Sequence, residues 1–154
     1  MIYQLPMTSV ALVQGRCFGA AADVVASCRK RIATPDASFR MPGLQFGIVL
    51  GTRRLARLIG ADAAFYLLET SRIFSADNAL EVGFLTDIQP AEGWADHINK
   101  LAIDAGNLGD DAKAALLAAT RDDRGLDNDL AALVRSAATP GLANRIRAFV
   151  GDGI

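Results

Sequence analysis

A strand-turn-helix pattern near the start of the chain constrains the fold more than any other feature of the sequence. Residues 8–23 read TSVALVQGRCFGAAAD, and the apolar run Val10–Val13 is typical of a buried β-strand. Gly15 and Gly19 then bracket a turn, and a run of alanines begins a helix without bulk in its first turn. The free backbone N–H groups of such a helix start can bind phosphate, carboxylate or a thioester oxygen. The same residues also suit ordinary packing of a strand against a helix, so spacing alone leaves both interpretations open.

The rest of the front half alternates predicted helices and strands. Val24, Val25 and Cys28 recur at helical spacing after Ala20, so we expect a helix that buries all three. Further elements are predicted as strands at residues 32–33 and 37–39, helices at 50–59, 61–69 and 76–82, and a strand at 84–88. This alternation indicates a mixed α/β fold.

The back of the chain, from Trp94 onward, is predicted to be helical throughout. Apolar side chains share one helical face in three stretches, which are Trp94, Ile98, Leu101 and Ala102; Leu126, Leu130, Leu133 and Val134; and Leu142, Ile146, Phe149 and Val150. A helix with one apolar stripe packs that stripe against a core or against another subunit.

Composition and charge exclude several classes of protein. A chain of 154 residues is long enough for one domain with a real core, and 51% of its residues are hydrophobic. The net charge of −1 argues against broad electrostatic binding to nucleic acid or to a membrane surface, and no apolar run reaches the length of a membrane span. Residues 1–5 lack the pattern of a signal peptide, so we expect a cytoplasmic protein. No dinucleotide fingerprint or metal-ligand spacing is present in the sequence, and we expect no bound metal.

The opening segment resembles the oxyanion segment of the enoyl-CoA hydratase/isomerase (crotonase) superfamily. In that family a strand ends in Asn-Gly and is followed by Gly-Gly-Gly-x-Glu/Asp, whereas here the strand ends in Gln14-Gly15 and the triplet is Gly19-Ala20-Ala21. The resemblance implies that the backbone N–H of Ala20 donates to the thioester oxygen, with Gly19 and Ala21 beside it in the substrate-binding segment. It also implies that Asp23 is the catalytic acid or base.

Four further segments extend the resemblance to about residue 90. They are Cys28-Arg29, where the family has Cys-Asp; Phe39-Arg40-Met41-Pro42-Gly43, where it has Phe-x-x-Pro-Glu; Thr52-Arg53-Arg54-Leu55; and residues 76–85. The implied fold is an α/β, crotonase-like (ClpP/crotonase) spiral core in residues 1–90, truncated at its N-terminus and followed by a C-terminal helical region in residues 91–154. In this family the closing helices serve assembly, which implies a homo-oligomer, either a trimer or a hexamer.

Three departures from the family pattern bear on activity. Members usually have a longer N-terminal part, which carries the other oxyanion donor and much of the adenine pocket. The second catalytic glutamate falls on Gly43, and the loop between Gly47 and Gly51 is shorter than the corresponding turn of the family. Asp23 is therefore the one candidate acid or base that the resemblance leaves.

The function implied by the resemblance is binding of an acyl-CoA thioester, followed by isomerase- or hydratase-type chemistry in a backbone oxyanion hole. Proton transfer by Asp23 alone suits isomerisation of a double bond, whereas hydration uses two carboxylates in this family. The implied enzyme class is an isomerase or a lyase. Coenzyme A would enter as part of the substrate, and no separate cofactor is expected. The alternatives are a catalytically silent binding or assembly module and a fragment of a longer enzyme.

Overall fold

The computed structural model describes residues 2–121 and 124–151 as alternating strands and helices, followed by helices alone. The strands in this part of the chain are β1 (Val10–Val13), β2 (Arg16–Phe18), β3 (Lys30–Ala33), β4 (Ser38–Arg40), β5 (Phe74–Ser75) and β6 (Asp87–Ile88). The α-helices are α1 (Ala20–Ala26), α2 (Thr52–Ile59), α3 (Ala61–Thr70), α4 (Ala76–Glu81), α5 (Trp94–Gly106), α6 (Asp110–Thr120), α7 (Leu126–Ala138) and α8 (Leu142–Gly151).

The strands form two small sheets. In the first sheet the order is β1-β3-β6 and all neighbours are parallel, with Val13 opposite Ala33 and Ala33 opposite Ile88. In the second sheet the order is β2-β4-β5, where β2 and β4 are parallel and β5 is antiparallel to β4. Parallel neighbours require crossover connections, and α1 is the crossover from β1 and β2 to β3 and β4.

The strand-turn-helix prediction is confirmed, with one addition. Strand β1 covers the predicted residues and α1 begins at Ala20, while the turn between them contains the unpredicted strand β2. Gly15 and Gly19 have φ values of +67° and +62°, which let the chain reverse before and after β2. Of the helix residues predicted to be buried, Val25 lies in the core and Val24 is exposed, because only one face of this short helix contacts the sheets.

Three phenylalanines form the centre of the core. Phe39, Phe74 and Phe84 are buried, and their ring centroids lie 5.1–5.6 Å apart in tilted and edge-on pairs. The strand predicted for residues 84–88 is shorter in the structure, since Phe84 and Leu85 fill the core and the strand β6 consists of Asp87–Ile88. The rings join β4, β5 and the segment before β6, which fixes the second sheet against the first.

The C-terminal helices α5–α8 are confirmed, and their apolar stripes are only partly covered within the single chain. Among their described residues, Leu117 of α6 is buried, whereas Leu130 and Val134 of α7 are 58% and 57% exposed. Helix α8 packs against a 3₁₀ turn at Gly43–Phe46. None of the helices in the described ranges combines the length and apolar character needed to span a membrane.

Candidate functional site

The start of α1 presents a backbone N–H group that has no acceptor among the described residues. Gly19 precedes the helix with φ +62° and ψ −132°, and its N–H donates to the carbonyl of Arg40 at 2.8 Å. The Ala22 N–H donates back to the Gly19 carbonyl at 3.0 Å. Within the described ranges, no residue accepts a hydrogen bond from the N–H of Ala20. A donor at this position is available to a ligand oxygen.

Asp23 lies one helical turn after Ala20, so both residues face the same side of α1. Together with Gly19 they line a cavity of about 190 Å³. The remaining wall is largely apolar and consists of Met41, Gly43, Leu44, Phe46, Ile48, Leu50 and Leu68. The structure therefore brings three of the four predicted site residues together around one apolar cavity.

Ala21, the fourth predicted site residue, has a different position. It is exposed, and it is not part of the lining of the cavities that contain Ala20 and Asp23. Its place in the substrate-binding segment stays a prediction.

The Asp23 carboxyl group is buried without a hydrogen-bond partner for one of its oxygens. The residue is 8% exposed, and its Oδ1 contacts no donor in the described part of the chain. Burial raises the pKa of Asp23 to about 6, and the positive charge of Arg54 opposes part of that shift. A carboxyl group with such a pKa exchanges protons near neutral pH, which suits an acid or base in catalysis.

Gly51 packs directly against this carboxyl group at the start of α2. A Cβ atom built on Gly51 would lie 1.4 Å from Oδ1 and 2.5 Å from Cγ of Asp23, so no larger residue fits without moving the carboxyl group. Gly51 also has φ +66°, a conformation that favours glycine. Next to it, the buried Oγ1 of Thr52 lacks a hydrogen-bond partner in the described residues. Thr52 lines a different cavity, whereas the unpaired carboxyl oxygen of Asp23 is unusual in a folded protein and points to a functional role.

A second cavity, of about 360 Å³, also reaches Asp23. Its lining includes Ala20, Asp23, Leu50, Arg54 and Tyr3. The guanidinium of Arg54 lies 5.5 Å from the centroid of the Tyr3 ring. Asp23 and Ala20 thus stand between an apolar cavity and a cavity with a cationic wall.

The comparison with protein-family models decides the family. The model described as enoyl-CoA hydratase/isomerase matches residues 1–133. The chain belongs to this family. The prediction of the superfamily is confirmed.

Solved structures and one curated protein agree with this assignment. A protein of Bordetella parapertussis classed with the enoyl-CoA hydratase/isomerases is 44% identical, with a TM-score of 0.89 over 97% of this chain and 62% of that chain. A methylmalonyl-CoA decarboxylase complexed with 2S-carboxypropyl-CoA is 20% identical, with a TM-score of 0.79 over 99% of this chain and 62% of that chain, and this likeness shows the fold alone. The ethylmalonyl-CoA decarboxylase of Bos taurus is 35% identical over 91 residues, which are 57% of this chain and 30% of that protein.

These similarities confirm the crotonase fold and show that the chain spans less than two thirds of the length of these relatives. In this chain, Gly43 stands at the position that the family pattern gives to the second acid. Gly43 lines the same cavity as Asp23, and a Cβ on Gly43 would lie 3.0 Å from the carbonyl oxygen of Ile48. Among the described residues that line this cavity, Asp23 is the one ionisable side chain.

Two neighbours of Asp23 could not be assigned to the site from the sequence. Gly51 and Arg54 both lie near its carboxyl group, one by contact and one by charge. Arg54 belongs to the Thr-x-Arg-Leu motif, but that motif carries no information on which side chain points towards α1. The signal that could have identified Gly51 is weak, since a glycine before a helix also occurs as an ordinary cap.

Proposed function

We propose that the protein binds an acyl-CoA thioester at the start of α1 and that Asp23 moves a proton between carbons of the acyl group. The reaction class is an enoyl-CoA isomerisation. One observation carries the proposal: the free N–H of Ala20 and the buried carboxyl group of Asp23 face the same apolar cavity. Family membership supports an acyl-CoA ligand.

The mechanism uses two groups of this chain. The thioester oxygen accepts a hydrogen bond from the Ala20 N–H, which stabilises negative charge on that oxygen. Asp23 removes a proton from the acyl carbon, and the electron pair of the C–H bond moves into the carbonyl to form a dienolate. Asp23 then returns the proton to a different carbon as the carbonyl forms again. Loss of one such backbone donor typically lowers the rate by about 10²–10³.

The cavity supports a short acyl chain. Its volume is about 190 Å³, and its lining includes the apolar side chains of Leu44, Phe46 and Leu68, which would limit water at the reacting carbons. Exclusion of water strengthens the hydrogen bond from Ala20 to the developing oxyanion.

Decarboxylation of a carboxyacyl-CoA is a second candidate, and the similarity to bovine ethylmalonyl-CoA decarboxylase favours it. In this reaction the bond between the α-carbon and the carboxylate breaks, carbon dioxide leaves, and the electron pair of that bond moves into the thioester carbonyl to form an enolate. Protonated Asp23 would then donate its proton to carbon, for which a pKa of about 6 is suitable. The alternatives without turnover are a silent binding or assembly module and one part of a longer enzyme.

The decisive experiment measures turnover and binding in matched variants. Wild-type protein is incubated with a 3-enoyl-CoA in deuterated water and, separately, with ethylmalonyl-CoA, and the products are followed by mass spectrometry. We expect Asp23→Asn to lower turnover by about 10²–10⁴ while acyl-CoA binding is retained. Turnover unchanged in Asp23→Asn would exclude the catalytic role. Binding without turnover by the wild type on either substrate would favour the silent module.

The oxyanion donor is tested by binding. Ala20→Val keeps the N–H but crowds the cavity, so we expect it to weaken acyl-CoA binding more than it weakens folding, whereas Ala20→Gly should bind as well as the wild type. Ala21→Val is the matched comparison, because Ala21 lies outside the cavity lining. An equal loss in both valine variants would argue against a specific role of Ala20. Absence of binding to the folded wild type would exclude the site altogether.

A further inference from the structure

A third cavity, of about 320 Å³, lies beside the C-terminal end of α1, and four of its twelve lining residues are arginines. Its cationic lining residues are Arg29, Arg31, Arg54 and Arg57, and its one acidic lining residue among those described is Asp129. Asp129 already forms an ion pair with Arg53, at 3.0 Å. We refer to this space as the arginine cavity.

Arg31 is a buried cation held only by neutral groups. It is 9% exposed, and its guanidinium donates to the carbonyl oxygens of Phe84 at 2.5 Å, Cys28 at 2.9 Å and Gly83 at 3.3 Å. No carboxylate within the described ranges lies close enough to form an ion pair with it. Burial lowers the pKa of Arg31, and the nearby charge of Arg29 lowers it further. The carbonyl of Arg29 also accepts from this guanidinium, at 3.2 Å, so backbone carbonyls hold the cation and its charge has no anion beside it among the described residues.

Two further arginines add positive charge without a described ion pair. Arg29 donates from Nη2 to the carbonyl of Leu117 at 3.3 Å, and Arg54 lies over the ring of Tyr3. The charge of Arg54 is near enough to the carboxylate of Asp23 to oppose part of the rise in the pKa of that group. The two side chains form no ion pair with each other. Among its described lining residues, the cavity therefore combines an excess of positive charge with guanidinium groups of defined position.

We propose that the arginine cavity binds the diphosphate group of a small ligand. Guanidinium groups present parallel N–H donors that match the oxygens of phosphate, and they stay charged at every physiological pH. Tyr3 and Thr120 line the same space, and the Thr120 hydroxyl already donates to the carbonyl of Leu116 at 2.8 Å. A volume of 320 Å³ falls within the range of about 300–1,000 Å³ that is usual for small-molecule sites.

The diphosphate could belong to a free nucleotide or to coenzyme A. Tyr3, Ser27 and Arg54 line both the arginine cavity and the 360 Å³ cavity beside Asp23, so one ligand can extend from one to the other. The proposal concerns the diphosphate and does not depend on turnover at Asp23.

Arg29 offers the sharpest test, because it stands where the family pattern has aspartate. We expect Arg29→Asp to lower the affinity for inorganic pyrophosphate by about tenfold or more, as loss of a charge-assisted contact typically costs 1.5–3 kcal/mol. Lys30→Asp is the matched control, since Lys30 is exposed, adjacent in sequence and outside the cavity lining. Arg29→Gln removes the charge with a smaller perturbation and serves if Arg29→Asp does not fold.

Calorimetry with pyrophosphate, ADP, coenzyme A and an acyl-pantetheine separates the two sources. If the ligand is coenzyme A, Arg29→Asp weakens binding of coenzyme A but leaves that of acyl-pantetheine unchanged. If it is a free nucleotide, ADP binds as tightly as coenzyme A. Both results support the diphosphate site, and pyrophosphate binding should survive Asp23→Asn, which keeps this test separate from that of the proposed function.

Three outcomes would overturn the proposal. The first is absence of pyrophosphate binding by the folded wild type, and the second is an equal loss of affinity in Arg29→Asp and Lys30→Asp. The third concerns Asp122 and Asp123, which lie outside the described residues. Pyrophosphate binding that emerges only in the Asp122→Asn/Asp123→Asn variant would mean that acids of the chain itself neutralise the cavity.

Discussion

The backbone of Gly51 touches the carboxyl group of Asp23, so that a methyl group on residue 51 would overlap Oδ1 at 1.4 Å. This contact joins the start of α2 to the middle of α1. It holds one carboxylate oxygen in a buried position where it has no hydrogen-bond donor in the described residues. The packing of two helices therefore sets both the position and the protonation of the candidate acid.

Gly51→Ala should displace the Asp23 carboxyl group and destabilise the fold. Overpacking a buried site typically costs 1–3 kcal/mol, and the positive φ adds about 1–2 kcal/mol. Gly15→Ala is the matched control, because Gly15 has nearly the same φ, +67° against +66°, with no atom within 4 Å of its added Cβ. Denaturant unfolding of both variants isolates the contact. Equal losses of unfolding free energy in the two variants would show that the Asp23 carboxyl group moves aside without a measurable cost.

The raised pKa of Asp23 predicts that stability falls as the pH rises. Because the folded protein holds this proton more tightly than the unfolded chain, the stabilising contribution is complete below pH 3.8 and is lost by about pH 6. The change from 3.8 to about 6 corresponds to about 3 kcal/mol at most. The Asp23→Asn variant has no carboxyl group to titrate at this position. We therefore expect its free energy of unfolding, relative to that of the wild type, to be higher at pH 8 than at pH 4.

Unfolding free energies of the two proteins at pH 4 and pH 8 check this, since their difference removes the titration of every other group. A difference independent of pH would contradict the buried, protonated state. If Asp23 acts as a base in isomerisation, turnover should rise with pH through about 6, and if it donates a proton after decarboxylation, turnover should fall.

Local sequence patterns were enough to predict the part of the candidate site that contains Ala20 and Asp23. The strand Val10–Val13, the glycine turn and the helix start follow from apolar runs and from residues that accept unusual backbone angles. Ala20 and Asp23 are three residues apart on one helix, so their common face follows from helical geometry alone. The cap of α4 is equally local, with the Ser75 side chain accepting from the Asn78 N–H.

Contacts between distant segments were not predictable in the same way. Strand β2 has three residues and no apolar alternation beyond Cys17, and it exists because β4 pairs with it. The approach of Gly51 to Asp23 depends on how α2 packs on α1, which no spacing encodes. The C-terminal helices were predicted as an assembly region, yet α8 also supports the loop that walls the cavity.

Arg145 of α8 holds that loop, and its removal should loosen the cavity. Its Nε donates to the carbonyl of Phe46 at 2.9 Å, and the ring of Phe149 lies 5.3 Å from that of Phe46. We expect Arg145→Ala to raise amide hydrogen exchange in residues 43–50 about tenfold or more, since such hydrogen bonds contribute about 1.5–3 kcal/mol. Arg147→Ala is the control, because Arg147 bonds only to Asn144 among the described residues. Equal exchange in both variants would contradict the support role.

The apolar stripe of α7 predicts self-association. Leu130 and Val134 lie one turn apart on the same face and are both more than half exposed in the single chain. Exposed apolar patches of this kind usually mark interfaces, so we expect a homo-oligomer, a trimer or a multiple of it. Light scattering should then show that Leu130→Lys/Val134→Lys lowers the molar mass, while Asn128→Lys, on another face of α7, does not. A stable monomer of the wild type at micromolar concentration would refute the prediction. An oligomer that survives the double substitution would place the interface on other helices, because two lysines desolvated at one contact oppose association strongly.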